Sequence, residues 1–214
     1  MLIGNTVNSC IAVNSGAVEN LYHTCLDCAR TDRELLFKSE VQRNPIPFNC
    51  TIFGIHIKKH ILEKLFDITL QNRKILHKIL SVTSKDELLK IPKGFRNNIW
   101  WNIVHVVVTQ QLLVYKMSGL QVRVTQELVD KFRKGTVPDG TATDEEIKMI
   151  EGFLFSTVEW AEKDYEAGLF KEYNEYTTSA NVTLRNIDDA LAFNIFHEGL
   201  HLGAILALQK AVSE

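Results

Sequence analysis

Two histidines four positions apart, His197 and His201, lie inside the apolar segment that runs from Ile187 to Val212 near the end of the chain. On a helix, residues four apart are neighbours. If this segment is helical, the side shared by the two imidazoles also carries Ile187, Ala190, Asn194, Ala204, Ile205, Leu208 and Val212. Both rings then face a core, and burying them without partners would cost about 1–3 kcal/mol each. Hydrogen bonds or a metal ion must answer for them, and two-point metal binding by one helix face is the sharper expectation.

The chain has 214 residues, 45% of them hydrophobic and 23% charged, which suits a soluble globular protein with one sizeable core. Its formal charge of −2 comes with no basic stripe, so neither nucleic acid nor an anionic membrane surface is an expected partner. The apolar run from Ile99 to Val108 is interrupted by Asn102 and His105 and is too short to span a bilayer. Met1 to Gly16 lacks a basic leader and is broken by Asn5, Asn8 and Asn14, so a cytoplasmic location is expected.

Residues 1–50 differ from the rest. They hold all four cysteines and the extended Asn44-Pro45-Ile46-Pro47 stretch, and they show few periodic apolar positions. The expectation is a poorly structured N-terminal extension, irregular or added upstream of the native start. Cys25 and Cys28, with His23 and Cys50, make a single CxxC without a second spaced pair, for which scattered free thiols are the simpler account. From Ile55 a helical pattern begins, with Ile57, Ile61, Leu65, Ile68, Ile75, Leu76 and Ile79 assigned to one face. His56 and His60 repeat the four-residue spacing but fall off that face, and His77 also falls on the outer side, so all three read as solvated.

Ser84 with Glu87, and Thr143 with Glu146, are capping-box pairs that start a short and a long helix. Between them, Ile99 to Met117 is apolar almost all the way round, as a central helix or one covered by a partner subunit would be. A shorter helix is expected over Val122 to Phe132. The helix after Thr143 carries Ile147, Ile150, Leu154, Val158, Ala161 and Tyr165 on one stripe to about Ala167. Asn181 to Leu184 is the one extended candidate, and Asn186 the cap of the last helix. Four long amphipathic helices over residues 53–212 describe an all-α four-helix bundle, a fold that builds metal sites on its inner faces.

His105 lies among Asn98, Trp101, Asn102, Thr109 and Leu112 on its helix. Alone it would read as a hydrogen-bonded core residue; opposite a helix with an inward histidine pair it becomes a third ligand. Three neutral imidazoles from His105, His197 and His201 suit a divalent ion, zinc or nickel first and iron(II) next, and leave coordination positions open for water or substrate. His197-Glu198-Gly199-Leu200-His201 also fits the HExxH pattern of zinc peptidases, with Glu198 as a candidate catalytic base. Ala204 and Ala207 stand where the longer peptidase pattern needs glycine and histidine, so Glu198 reads more simply as a carboxylate at the surface or behind the ligands.

Asn102-Ile103-Val104-His105, then Gln110-Gln111-Leu112-Leu113 and Gly119, resembles the second-helix region of the DinB-like proteins. The segment Phe193 to Gly203 is similar to that family's last-helix motif. The resemblance implies a four-helix bundle, a three-histidine metal site carried onto His105, His197 and His201, and often a homodimer. Ala204 departs from the glutamine common in the family at that point. Relatives with assigned activities include metal-dependent transferases and isomerases that use low-molecular-weight thiols such as bacillithiol or mycothiol. A thiol-dependent transferase or isomerase is therefore the leading expectation, with a metal-dependent hydrolase and a non-enzymatic dimeric bundle as the alternatives.

Overall fold

The computed structural model describes residues 50–213, with side chains from residue 58 onward, and this part of the chain is all-α apart from one small hairpin. The expectations for residues 1–49, the Cys25–Cys28 pair among them, lie outside the described residues, as do the side chains of Cys50 and His56. Six α-helices follow in order: α1 (Cys50–Val82), α2 (Lys85–Leu89), α3 (Ile99–Gln111), α4 (Gln126–Phe132), α5 (Asp144–Glu166) and α6 (Ile187–Ser213). Helix α3 continues directly into a π-helical turn over Leu112–Lys116. The hairpin joins β1 (Tyr176–Thr177) to β2 (Thr183–Leu184), with Tyr176 opposite Leu184 and a turn that puts Asn181 at φ 59.

The helix starts are fixed locally. Ser84 and Thr143 both form reciprocal capping boxes, the Thr143 backbone N–H donating to Glu146 Oε2 at 2.7 Å and the Glu146 N–H returning to Thr143 Oγ1 at 3.1 Å. Asn98 caps α3 by accepting from the Trp101 N–H at 2.8 Å, while its own amide donates to Leu89 O and ties the α2 end to the α3 start. Asn186 caps α6 through the Asp189 N–H at 2.9 Å.

The long helices close a ring in which α6 packs on α1 and α3, and α5 packs on the same two from the other side. Helix α3, with α2 and α4 against its outer side, is the central helix of the bundle, which is why every residue from Ile99 to Val108 is buried. The core between these helices gathers Leu76, Trp100, Val104, Ile150, Leu154, Ile205 and Leu208. A helix apolar all round needs such cover on every side.

In α1 the inward face differs from the expected stripe. Phe66, Thr69, Arg73, Leu76 and Leu80 are buried, whereas Ile61, Ile68 and Ile75 are 55%, 43% and 44% exposed. Polar residues at the centre of the true face, Thr69 and Arg73, hid its phase, and the isoleucines form a seven-residue line beside it. With that rotation His77 turns partly inward and packs against Phe155 at 5.1 Å between ring centroids, so its solvated reading is corrected. His60 is exposed, 4.0 Å from Glu63.

Helix α6 is long and apolar enough to cross a membrane by length and composition, a property the Ile99–Val108 run does not have. Its apolar character is two-sided. One side buries Ala190, Asn194, Glu198, Ile205, Leu208 and Val212, and the other leaves Phe196, Leu200 and Leu206 about half exposed.

Candidate metal centre

The π turn decides which residues reach the open side of α3. Trp101, His105, Thr109, Leu113 and Met117, spaced by four, all line one cavity of about 490 Å³. At 3.6 residues per turn a four-residue repeat drifts round the helix, and one wider turn takes that drift back. The same turn frees carbonyls for other partners: Tyr173 donates its hydroxyl to Leu113 O at 3.1 Å, and Asn174 donates its backbone N–H and its side-chain amide to Met117 O at 2.6 and 3.1 Å. The segment between α5 and α6 is thereby pinned to the turn, and its Tyr176, Thr178 and Ser179 complete the cavity wall.

His105, His197 and His201 converge on this cavity. Each offers one ligand atom, and these atoms all lie within 4.8 Å of one another. Ring centroids are 5.2 Å apart for His105 and His197, 4.7 Å for His105 and His201, and 4.5 Å for the α6 pair. Two of the rings are oriented by their remaining nitrogen. His105 Nδ1 donates to Phe132 O at 2.6 Å, a carbonyl left without an intrahelical partner at the C-terminal end of α4. Its Nε2 therefore keeps a lone pair, 3.3 Å from Thr109 Oγ1. Trp101 stacks flat on it, centroids 4.4 Å apart and planes 12° from parallel.

For His201 the partner is Asn102, whose Oδ1 lies 2.8 Å from Nδ1. Asn102 donates its own amide to Asn98 O at 2.7 Å, which fixes which end of the side chain is the acceptor. The His201 Nδ1 must then carry the proton, leaving Nε2 as donor atom for a metal. His197 Nδ1 is buried with no hydrogen-bond partner among the described residues.

Electrostatics agree with neutral rings. Burial depresses the His105 pKa, with the Phe132 hydrogen bond opposing the shift. Burial, then the neighbouring His201, His105 and Arg73 charges, push His197 down to about 3, and burial followed by His105 does the same to His201. Three close imidazoles that stay neutral, two of them locked with a lone pair free and the third with an orphaned nitrogen, are a donor set that fits a divalent transition ion.

Of the places considered for Glu198, the surface is excluded. It is fully buried, not at the surface, and does not line the cavity. Arg73 Nε donates to its Oε2 at 3.0 Å and Arg73 Nη2 to its Oε1 at 2.9 Å, while Asn194 Nδ2 adds a third bond to Oε1 at 2.7 Å. A carboxylate whose two oxygens are committed to these donors, and which does not line the cavity, is poorly placed to take a proton from water there. Arg73 escaped the sequence reading. The available signal was a single arginine in phase with Phe66, Thr69, Leu76 and Leu80.

A bundle whose two facing helices bring three neutral imidazoles to one cavity is a helical protein with a metal-capable centre, of the class that builds its sites between helices. Residues 68–205 match the family model of the DinB superfamily, and the chain belongs to that superfamily. No curated protein matches the chain.

Proposed function

We propose that this protein is a metal-dependent transferase or isomerase that uses a low-molecular-weight thiol, works in the cytoplasm, where such thiols stay reduced, and acts as a homodimer. The observation that carries the proposal is the convergence of His105, His197 and His201 on one wall of a cavity large enough for a small substrate. When bound, a zinc or nickel ion supplies the Lewis acidity that makes an anion of a thiol at neutral pH. The chain's own residues orient the rings: Phe132 O holds His105 and Asn102 holds His201. Leu112, Leu113, Met117, Phe193 and Leu200 give the cavity apolar walls that exclude water from an activated sulfur. Among the described residues no carboxylate lines the cavity, which favours an activated cosubstrate over a base-assisted peptidase.

The test is metal analysis of the purified wild type beside H105A, H197A and H201A, followed by product analysis with an electrophilic probe with and without added thiol. Near-stoichiometric metal in the wild type, its loss in each variant, and thiol adducts formed only by the metal-loaded wild type are expected. Hydrolysis of the probe independent of thiol would make the protein a hydrolase instead. A wild type that takes up no zinc, with H197A equally stable with or without zinc, would overturn the proposal in favour of an inert bundle.

A further inference from the structure

Among the described residues, the walls of the histidine cavity carry two cations and no acid. Lys116 closes the π turn and Lys134 follows α4, so the two come from different elements, yet both line the same space. Both are exposed, and neither forms an ion pair among the described residues. Hydroxyls of Tyr176, Thr178 and Ser179 add donors to the wall, and the remaining contacts are largely apolar.

We infer that Lys116 and Lys134 form an anion-reading rim and that the substrate is a small amphipathic molecule with a carboxylate or similar anionic group on an apolar body. The inference rests on the histidine cavity being the reaction site. Two cations in a cleft with apolar walls focus potential on whatever enters, and no lining carboxylate cancels it. A cationic substrate would be repelled by both ammonium groups and by a bound divalent ion. The apolar walls make the rest of the molecule aliphatic or aromatic, and about 490 Å³ limits it to a small molecule.

The experiment uses the full-length, zinc-loaded protein and two dyes with one aromatic framework, anilinonaphthalene sulfonate and the uncharged phenylnaphthylamine, titrated by fluorescence. The expected result is an affinity for the sulfonate roughly fivefold or more above that for the neutral dye. The double variant K116Q/K134Q is expected to remove that preference while leaving neutral-dye affinity and zinc content as in the wild type, and K78Q, on an exposed face of α1, to change nothing. Equal affinities for the two dyes in a zinc-loaded wild type, or a preference that persists in the double variant, would overturn the lysine assignment. So would a preference that disappears on chelation with both lysines in place, because the ion alone would then be reading the charge. Failure of the metal centre has a different signature: the wild type takes up no zinc, while the dye comparison in the metal-free protein still reports on the lysines.

Discussion

Arg73 and Glu198 connect α1 to α6 through a fully buried ion pair, and Arg73 also reaches Val106 O on α3 at 3.4 Å. Such a pair is costly to break from one side, because the survivor keeps an uncompensated charge in the core. E198Q should lower unfolding stability by about 3–5 kcal/mol in urea denaturation, and R73M/E198M should recover most of that loss; equal losses in single and double variants would show that packing, not charge, is at stake. Asn102 makes a different contribution. Since it fixes the tautomer and angle of His201, N102A should weaken zinc affinity about 10–100-fold, measured by competition with a chromogenic chelator. Unchanged affinity would remove Asn102 from any part in orienting the ligand.

Among the elements, the π turn at Leu112–Lys116 has the widest influence, since it keeps Leu113 and Met117 on the cavity side and anchors the segment between α5 and α6. Tyr173 is half of that anchor. Burial, with smaller effects from Asp189 and Tyr176, pushes its phenol up to about 12, against about 10 in an unfolded chain. The folded state then retains a proton that the unfolded state gives up, so the stabilisation is complete below pH 10 and is lost as pH rises toward 12. Stability should therefore fall over that window, and Y173F should flatten part of the fall; identical alkaline profiles would show that burial does not raise the Tyr173 phenol. Helix α6 has its own exposed consequence. Phe196 and Leu206, 50% and 53% exposed, lie on its outer side, and the proposed homodimer would bury them there. L206E should shift the protein from dimer to monomer in light scattering without loss of zinc, and a monomeric wild type would end the dimer proposal.

At the level of the whole molecule, a cation shared by α3 and α6 would bind the folded state alone. Zinc at about 100 times its dissociation constant should add about 2.7 kcal/mol of stability, seen as a concentration-dependent rise in melting temperature that a chelator reverses and that H105A lacks. What the sequence determined by itself was everything governed by local periodicity and local hydrogen bonding: the all-α architecture, the capping boxes at Ser84 and Thr143, the cap at Asn186 and the inward side of α6 with its histidine pair. These are set by residues three or four apart, and neighbours at that spacing are legible in a string of letters. Tertiary structure alone decided the rotation of α1, where buried Thr69 and Arg73 defeated a reading that equates inward with apolar. It also decided the pairing of Arg73 with Glu198 across 125 positions, the Phe132 and Asn102 partners that lock His105 and His201, and the meeting of Lys116 with Lys134 on one cavity. Each of these joins groups on different helices, and which helix faces which is settled by packing the whole bundle, a condition that no single segment carries in its own sequence.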